Sequence, residues 1–436
     1  MNERDIDVRD GAWHRAWLAS LIQHGVKLGL QNIRALTARL DYPHRQLRCV
    51  HVAGTNGKGS TCAFLDTMFQ AADLRVGRYT SPHIHDVTER IQINGVPIPE
   101  TALSETMERV RVAADHLPHP PTFFEALTAA AFDWFAREKV DLAVIETGLG
   151  GRFDATSVLE HPVLSIITGI ALEHTRHLGT TLQAIAMEKA GILRAKIPCL
   201  VGDCPLEAAS VIEARAAAVG SPLSLVGRDI HVAPEGNFWH PAARVWIDGH
   251  EYQSPPLPLP GIHQAWNAGL AISAAHRLRR ALGISVSPER LIEALAHTRW
   301  PGRLEKVWDD PPVYLDAAHN PQGIGAILPA LENSIVVISV AADKDARAMA
   351  SLIESVPCEV VVTAFQGSRA MPAEQLTGYF TRPLSGIFPQ VQAALGHSMD
   401  LARSRSCRLV ALGSIYAIAE VRALLAADGP SGPGNV

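Results

Sequence analysis

Cysteine is scarce in this sequence, and its cysteines are not closely paired. The chain of 436 residues contains six, and none of them forms a Cys-x-x-Cys pair. A structural zinc site or a disulfide framework normally shows such spacings or a much higher cysteine content. The pattern therefore favours reduced thiols in a cytoplasmic protein. The six cysteines are Cys49, Cys62, Cys199, Cys204, Cys358 and Cys407.

Long apolar runs and blocks of like charge are also missing. No run of about 18 apolar residues occurs, so the sequence predicts no membrane-spanning helix. The formal net charge of -5 provides no basic field for nucleic acid. The amino-terminal segment MNERDIDVRDGAWHRAW is polar and acidic, unlike a secretory signal. We therefore expect neither nucleic acid nor a membrane as a partner.

Strands alternate with helices along the first half of the chain. The apolar runs LRCVHVAG, VDLAVIE and PVLSIITGIALEH are typical of buried strands, and helical spacing follows in STCAFLDTMFQAA and TLQAIAMEKAG. This alternation predicts βαβ units and a mostly parallel sheet of the α/β class. Ligands of such sheets bind outside the carboxyl ends of the strands. The polar residues that follow the three runs are therefore expected at one edge of the sheet.

The chain is long enough for two domains. Residues 228–260 contain short strand-like pieces punctuated by Gly and Pro, which predicts a small antiparallel elaboration. Pro301-Gly302 then interrupts the pattern, and four further apolar runs alternate with helical stretches. The predicted organisation is a first domain at 1–297, a linker at 298–305 and a smaller Rossmann-like α/β domain at 306–436.

The segment HVAGTNGKGST joins the first predicted strand to a helix. Glycines in this context allow backbone N–H groups to converge on an anion at the helix N-terminus. The spacing differs from the common P-loop, in which four residues separate the first glycine from Gly-Lys. The alternatives are a phosphate-binding loop of another type or an ordinary glycine-rich turn. The residues concerned are Gly54, Gly57, Lys58, Gly59, Ser60 and Thr61.

Glu146 and His174 end the second and third apolar runs. A carboxylate at the position of Glu146 is either a helix-capping acid or a ligand for a hard metal ion beside phosphates. A lone histidine such as His174 is more often a satisfied structural residue than a ligand. The nearby phosphate-type loop favours the metal interpretation for Glu146.

Lys189 lies on the apolar stripe of a predicted helix, with Leu182, Ile185 and Ala186. One explanation is that its aliphatic stem covers apolar surface while the ammonium group reaches water. The other is that a lysine forced into a low-dielectric site has a depressed pKa and is catalytic or chemically modified. The residues alone leave both explanations open.

Eleven segments taken in order resemble the folylpolyglutamate synthase/dihydrofolate synthase family, within the Mur ligase superfamily. The resemblance extends over roughly residues 20 to 425. The segments are HVAGTNGKGST, TSPHIHDVTERIQING, FFEALTAAAF, IETGLGGRFDAT, LEHTRHLGTTLQAIAMEKAGIL, GIHQAWNA, PGRLE, LDAAHNPQG, ADKD, SRAMPAEQL and GSIYAIAEVR.

The resemblance implies an N-terminal ATPase domain of the Mur ligase type and an ATP-dependent amide ligase. It assigns catalytic roles to Lys58, Glu146, His174 and Lys189, the last as a possible carbamate. Two Mg²⁺ ions would be bound through Ser81, Glu146 and His174. The implied ATP-binding residues are Gly54, Thr55, Asn56, Gly57, Lys58, Gly59, Ser60, Asn267, Arg303 and Asp316.

The resemblance also implies substrate-binding residues. A pterin-binding role falls on two segments, although Phe123 and Phe124 alone would be read as core aromatics and Asp154 as a loop acid. Contacts with L-glutamate fall on His319 and Ser414. The complete set is Thr122, Phe123, Phe124, Glu125, Phe153, Asp154, Ala155, His319 and Ser414.

The implied reaction adds L-glutamate to dihydropteroate, to tetrahydrofolate or to both, through an acyl phosphate, in a protein expected to be a monomer. Substrate preference stays open, because the chain has Glu173-His174 where the family usually has Asp-His, and HDVTERI where it has FNERI. The alternatives are dihydrofolate synthesis alone, or ligation of glutamate to a non-folate carboxylic acid. A nucleotide-binding switch without turnover is disfavoured, because no Asn-Lys-x-Asp signature for guanine occurs.

Overall fold

The computed structural model describes residues 13–25, 27 and 29–428. These residues form two compact units. The first comprises the described residues up to Glu235, with Ala242–Leu257 and Gln264–Thr298. The second comprises the described residues from Arg299 onward, with Gly236–Pro241 and Pro258–His263. Two short segments from within the first predicted domain are thus part of the second unit.

The first unit contains an eight-stranded sheet with the strand order β4-β3-β2-β5-β1-β6-β7-β8. The pairs from β2 to β8 are parallel, and β3 and β4 add an antiparallel edge. The predicted mostly parallel sheet is therefore confirmed. The strands are β1 (Cys49–Ala53), β2 (Val76–Tyr79), β3 (Ile91–Ile93), β4 (Val96–Pro97), β5 (Leu142–Glu146), β6 (Leu164–Ile167), β7 (Cys199–Val201) and β8 (Leu223–Leu225).

Helices cover this sheet because its central strands are buried on both faces. Helices α4 and α5 pack with Tyr79, Ala143 and Ile145 in one core cluster, and α7 and α8 pack with Ile167 and Val201 in another. The helices of this unit are α1 (Trp13–Leu21), α2 (Gln31–Arg39), α3 (Lys58–Gln70), α4 (Glu100–Ala114), α5 (Phe123–Arg137), α6 (Thr175–Leu178), α7 (Leu182–Lys189), α8 (Leu206–Val219), α9 (His263–Ala281) and α10 (Pro288–Glu293).

The register of the central strands aligns their carboxyl ends. In β1, Val52 is paired with Glu146 of β5, and Ala53 with Ile167 of β6. Tyr79 of β2 is paired with Ile145 of β5. The segments that follow β2, β5, β1 and β6 therefore leave the sheet side by side.

The antiparallel elaboration predicted within residues 228–260 is a three-stranded sheet. It consists of β9 (Ile230–Gly236), β10 (Pro241–Ile247) and β11 (His250–Gln253), in the order β11-β10-β9. Strands β10 and β11 are antiparallel. Asp248 and Gly249 both have positive φ at the turn between them, as two-residue hairpin turns require.

The second unit contains a six-stranded sheet where four strands were predicted, with the order β12-β13-β17-β14-β15-β16. The two missed strands, β12 and β16, are short and half-exposed at the edges, so they lack an apolar run. The strands are β12 (Glu305–Trp308), β13 (Val313–Leu315), β14 (Ser334–Ile338), β15 (Glu359–Thr363), β16 (Gly386–Phe388) and β17 (Arg408–Leu412). The helices are α11 (Pro321–Leu331), α12 (Ala346–Glu354), α13 (Ala373–Thr377), α14 (Val391–Arg405) and α15 (Ile415–Asp428).

The described residues of the two units include no candidate membrane-spanning helix. Among residues 13–25, 27 and 29–428, no helix combines the length and apolar character needed to cross a bilayer. All six cysteines are unpaired.

Val50 and Val96 provide a matched test of the first unit's core. Val50 is fully buried in central strand β1, whereas Val96 is 64% exposed in edge strand β4. Val50→Ala should lower the free energy of unfolding by about 2 kcal/mol through lost apolar burial and the cavity left behind. Val96→Ala should change it by less than about 0.5 kcal/mol. Urea unfolding followed by circular dichroism measures both, and equal effects would contradict this description of the core.

Candidate active site

The loop between β1 and α3 is closely packed at two of its glycines. Gly57 has a φ of 84°, and a Cβ placed on it would lie 2.3 Å from Asn267 Oδ1. A Cβ on Gly54, whose φ is 150°, would lie 1.9 Å from Thr168 Oγ1. Neither position accepts a side chain without rearrangement. The loop ends at the N-terminus of the 13-residue helix α3, where unpaired backbone N–H groups favour an anion.

The residues after β6 hold this loop in place. Thr168 Oγ1 donates to the carbonyl of Asn56 at 2.6 Å. Thr55 N–H donates to the carbonyl of Gly169 at 2.9 Å, and the Thr55 hydroxyl accepts from Ala171 N–H at 3.0 Å. Because these bonds involve neighbouring strands, the loop conformation is fixed by the sheet.

Lys58 and Glu146 meet beside this loop. Lys58 Nζ lies 3.9 Å from Glu146 Oε1 and donates to the carbonyl of Thr55 at 3.1 Å. The lysine side chain is 17% exposed and the glutamate side chain only 4%. Glu146 Oε2 accepts from the backbone N–H of Ser81 at 3.1 Å. The carboxyl ends of β1, β2 and β5 thus place an ammonium, a carboxylate and a serine together.

Lys189 is buried against the same loop. Its Nζ donates to the carbonyl of Gly54 at 2.7 Å, and 4% of the residue is exposed. Burial, and to a smaller extent the positive charge of Lys58, lower the pKa of Lys189 to about 7. A substantial fraction of this amine is therefore neutral near pH 7. The buried amine excludes the explanation that the side chain merely reaches out to water.

His174 follows β6 and begins α6. It has a φ of 51°, in the left-handed region, and its Nε2 lies 3.8 Å from Glu173 Oε1. Residues with such backbone angles are uncommon outside glycine and occur at turns and functional sites. His174 lies in the segment that follows the carboxyl end of β6, as Ser81 follows that of β2 and Glu146 ends β5.

The oxygen donors at this edge suit a hard cation that is only partly coordinated by protein side chains. Within the described part of the chain, no three His, Cys, Asp or Glu side chains form a group able to hold a metal. Mg²⁺ is typically held by one or two carboxylates, with water and substrate phosphates completing its coordination. The oxygen donors of Glu146 and Ser81 beside an anion-binding loop fit that requirement.

The remaining predicted ATP-binding residues of the first unit line or support the loop. Asn267, on α9, is 7% exposed and faces Gly57. Ser60 and Gly59 lie in the first turn of α3 and are buried. The structure therefore brings these residues together with Gly54, Thr55, Asn56, Gly57 and Lys58.

Thr122 and Glu125 form a capping box at the start of α5. Glu125 N–H donates to Thr122 Oγ1 at 3.2 Å, and Thr122 N–H donates to Glu125 Oε2 at 2.8 Å. Asn32 Nδ2 also donates to Glu125 Oε2, at 3.1 Å. These hydrogen bonds give both residues a role in fixing the helix start.

Phe123 and Phe124 are half-buried and pack against the core. The guanidinium of Arg90 lies 5.2 Å from the centroid of the Phe123 ring, within cation–π range. A Cβ on Gly148 would lie 2.5 Å from Phe124 Cζ. Phe124 therefore touches the loop that begins just after Glu146.

Asp154 is bound by its own loop. Its carboxylate accepts from Leu149 N–H at 2.8 Å, from Thr156 N–H at 3.0 Å and from the Thr156 hydroxyl at 2.5 Å. Burial raises the pKa of Asp154, and these hydrogen bonds oppose that shift. Ala155 is buried, whereas 37% of Phe153 is exposed. Phe153 is thus the most accessible residue of this predicted substrate segment.

The predicted residues of the second unit lie near strand ends. Asp316, after β13, accepts from Leu304 N–H at 2.9 Å and from Ala318 N–H at 2.8 Å, and burial raises its pKa. Arg303 Nη1 donates to the carbonyl of Gly302 at 2.9 Å. His319 and Ser414 follow β13 and β17, which are parallel neighbours. The chain segments that carry these two residues are joined by a bond from Gly413 N–H to the Ala318 carbonyl at 3.0 Å.

Three supporting residues were not predicted from the sequence. Thr168 fixes the glycine loop, Arg90 covers Phe123 and donates to His83 Nδ1 at 2.8 Å, and Gln264 contacts Asn267. Thr168 ends the apolar run PVLSIIT, and a hydroxyl at a strand end beside a glycine loop is a usable signal. Arg90 contacts Phe123, far from it in sequence, and the burial of Gln264 depends on how α9 packs, so the local pattern gives no sign of either role.

Comparison with known proteins identifies the family of this chain. Residues 302–414 match the family described as Mur ligase, glutamate ligase domain. A dihydrofolate synthase/folylpolyglutamate synthase from Bacillus subtilis (strain 168) is 39% identical over 376 residues, covering 83% of this chain and 87% of that protein.

Solved structures of related proteins can be superposed on nearly the whole chain. A structure of Escherichia coli FolC in complex with DHPP and ADP matches with a TM-score of 0.83 and 29% identity, covering 95% of this chain and 98% of that chain. A bifunctional folylpolyglutamate synthase/dihydrofolate synthase with Mn, AMPPNP and L-glutamate bound matches with a TM-score of 0.82 and 30% identity, covering 94% and 98%. The chain therefore belongs to the dihydrofolate synthase/folylpolyglutamate synthase family of Mur ligases.

Proposed function

We propose that this protein is an ATP-dependent ligase that adds L-glutamate to dihydropteroate and to tetrahydrofolate in folate metabolism. The observation that carries the proposal is the contact of Lys58 with Glu146, 3.9 Å apart beside a glycine loop at a helix N-terminus. A cation that can hold a phosphate and a carboxylate that can hold a metal ion thus lie side by side, which supports the proposal. The ADP, AMPPNP, DHPP and L-glutamate held by related structures support the same substrates here.

The reaction proceeds in two displacements. An oxygen of the acceptor carboxylate attacks the γ-phosphorus of ATP, and the bond from that phosphorus to the β-phosphate oxygen breaks, which gives an acyl phosphate and ADP. The glutamate amine then attacks the acyl carbon, the bond to phosphate breaks, and the nitrogen loses a proton. Lys58 offsets negative charge on the transferred group, and the first N–H groups of α3 hold the phosphates.

Two Mg²⁺ ions are part of the proposal, with Ser81, Glu146 and His174 as the protein ligands. When bound, Mg²⁺ offsets the charge of the phosphates and polarises the phosphoryl oxygens. The hydrogen bond from Ser81 N–H to Glu146 Oε2 orients the carboxylate for this role. Lys189, whose amine is partly neutral, is the position that we propose to carry a carbamate.

The acceptor is assigned to the segments Thr122–Glu125 and Phe153–Ala155. Phe153 and the half-buried faces of Phe123 and Phe124 offer rings on which a pterin can stack. The hydrogen bonds of Thr122, Glu125 and Asp154 hold these rings in position. L-glutamate is assigned to His319 and Ser414, in the domain 306–436.

The sequence also suggests the domain boundaries, the cellular location and the oligomeric state. We propose that residues 1–297 form the ATP-binding domain with the pterin site, that residues 298–305 are the linker, and that the protein acts as a cytoplasmic monomer. ATP contacts from Arg303 and Asp316 belong to this proposal.

Lys58→Met and Glu146→Gln test the phosphate and metal assignments. Each change removes one charge while keeping the size of the side chain, so kcat should fall by at least about 100-fold. Glutamate-dependent ADP release measures the effect. The controls are Lys306→Met and Glu251→Gln, which remove exposed charges and should leave the rate within about twofold. Normal turnover by Lys58→Met or by Glu146→Gln would contradict the role proposed for that residue.

Acceptor specificity is tested by supplying ATP and L-glutamate with dihydropteroate, with tetrahydrofolate or with neither. We expect ADP release with each acceptor and only background release without one. ADP formed with dihydropteroate alone would reduce the function to dihydrofolate synthesis. Failure with both acceptors would point to a non-folate carboxylic acid.

The buried amine of Lys189 predicts a pH-dependent stability difference. Its pKa is about 7 in the folded chain and 10.5 when exposed, so between these values the unfolded chain binds a proton that the folded chain does not. The cost of burying the amine is therefore greatest at and below pH 7 and fades as the pH rises towards about 10. Lys189→Met should stabilise the protein most near pH 7, and less at each higher pH.

Urea unfolding in carbon-dioxide-depleted buffer measures this difference. Lys306→Met, at an exposed lysine, serves as the matched control and should show no such gain near pH 7. A gain for Lys189→Met that is the same at pH 7 and pH 10 would contradict the lowered pKa.

A further inference from the structure

Two amide side chains at the start of α9 are linked to each other. Asn267 Nδ2 donates to Gln264 Oε1 at 3.0 Å, one helical turn away. Gln264 is completely buried and Asn267 is 7% exposed. Because both are enclosed, water does not compete for this bond.

The link fixes which end of the Asn267 amide meets the glycine loop. With Nδ2 engaged by Gln264, Oδ1 faces the loop, 2.3 Å from where a Cβ of Gly57 would lie. Gly57 is the N-cap of α3, the residue immediately before Lys58. Asn267 therefore packs against the glycine loop, and its Oδ1, a hydrogen-bond acceptor, faces Gly57.

The Gln264 side chain carries a buried donor that lowers the stability of the folded chain. Its Nε2 has no hydrogen-bond partner among the described residues, although the side chain is fully buried. A buried donor without a partner costs stability, whereas an apolar side chain of the same length avoids that cost. Methionine would remove this unpaired donor but would leave Asn267 Nδ2 without its acceptor, so stability alone does not select between the two residues. The contact that only an acceptor at this position supplies is the hydrogen bond to Asn267.

We propose that Gln264 is a positioning residue for nucleotide binding, which acts by holding Asn267 against the phosphate loop. The inference rests on the proposed function in one respect, that the nucleotide occupies this loop. Gln264 itself then touches neither the phosphates nor the reacting atoms. Its loss should weaken nucleotide binding while leaving the chemical step and the affinity for L-glutamate nearly unchanged.

The test compares wild type, Gln264→Met and Gln264→Glu by calorimetric titration with ADP and by thermal unfolding. Gln264→Met removes the acceptor and should raise the Kd for ADP about tenfold, with a Tm close to that of wild type because one unpaired buried donor replaces another. Gln264→Glu keeps an acceptor oxygen and should recover most of the affinity. Gln253→Met, at an exposed glutamine of β11, is the matched control and should bind ADP as wild type does.

Steady-state kinetics and a double-mutant cycle separate positioning from general damage. Gln264→Met should raise the KM for ATP with little change in kcat or in the KM for L-glutamate. In an Asn267→Ala background, Gln264→Met should add less than about a twofold loss of ADP affinity, because the two residues act as one unit.

Unchanged ADP affinity in Gln264→Met overturns the inference. So does a parallel loss of Tm and affinity that Gln264→Glu fails to reverse, or an additive loss in the Asn267→Ala background. ADP titration needs no acceptor, so a wild-type protein that binds ADP without glutamate ligation overturns the proposed function and leaves this inference standing.

Discussion

Parallel pairing of β1 with β5 on one side and β6 on the other is the constraint on which the site depends. The register places Val52 beside Glu146, and Ala53 beside Ile167. A slip of one residue would turn every side chain of β1 to the opposite face. The buried apolar residues of these strands therefore fix where the loop, the carboxylate and the His174 segment emerge.

Charge balance is the second constraint at this edge. Two lysines, Lys58 and Lys189, lie beside the same short loop, and the first depresses the pKa of the second. The Glu146 carboxylate lies 3.9 Å from Lys58 Nζ. An anion at the N-terminus of α3 would offset the charge of Lys58 and of the protonated fraction of Lys189, which favours phosphate at the proposed site. The hydrogen bond of Lys189 to the Gly54 carbonyl holds the second amine in place meanwhile.

Much of this arrangement could be predicted from the sequence. Buried parallel strands read as continuous apolar runs, so β1, β5 and β6 and the polar residues at their ends were identifiable. Strands β12 and β16 were missed because short edge strands bury too little to leave a pattern. The capping box of Thr122 and Glu125 has a local sequence signature, and the substrate-binding role that the resemblance implies for these residues stays a prediction.

What the sequence could not provide was distance across the fold. Nothing near Gln264 in the chain indicates that it is fully buried or that its neighbour Asn267 meets Gly57, because those facts depend on how α9 packs. The same holds for the 3.9 Å between Lys58 and Glu146, which depends on strand order. Periodicity predicts faces, whereas contacts between elements far apart in sequence require the assembled sheet.

Phe124, at the start of α5, packs against Gly148 in the loop after β5. Gly148 comes two residues after Glu146, and any side chain on it would collide with the Phe124 ring. A larger side chain at Gly148 would therefore displace the Phe124 ring or the loop that follows Glu146. On the proposed assignment of Phe124 to the acceptor and of Glu146 to the metal ion, this packing contact couples the shape of the acceptor surface to the phosphate site.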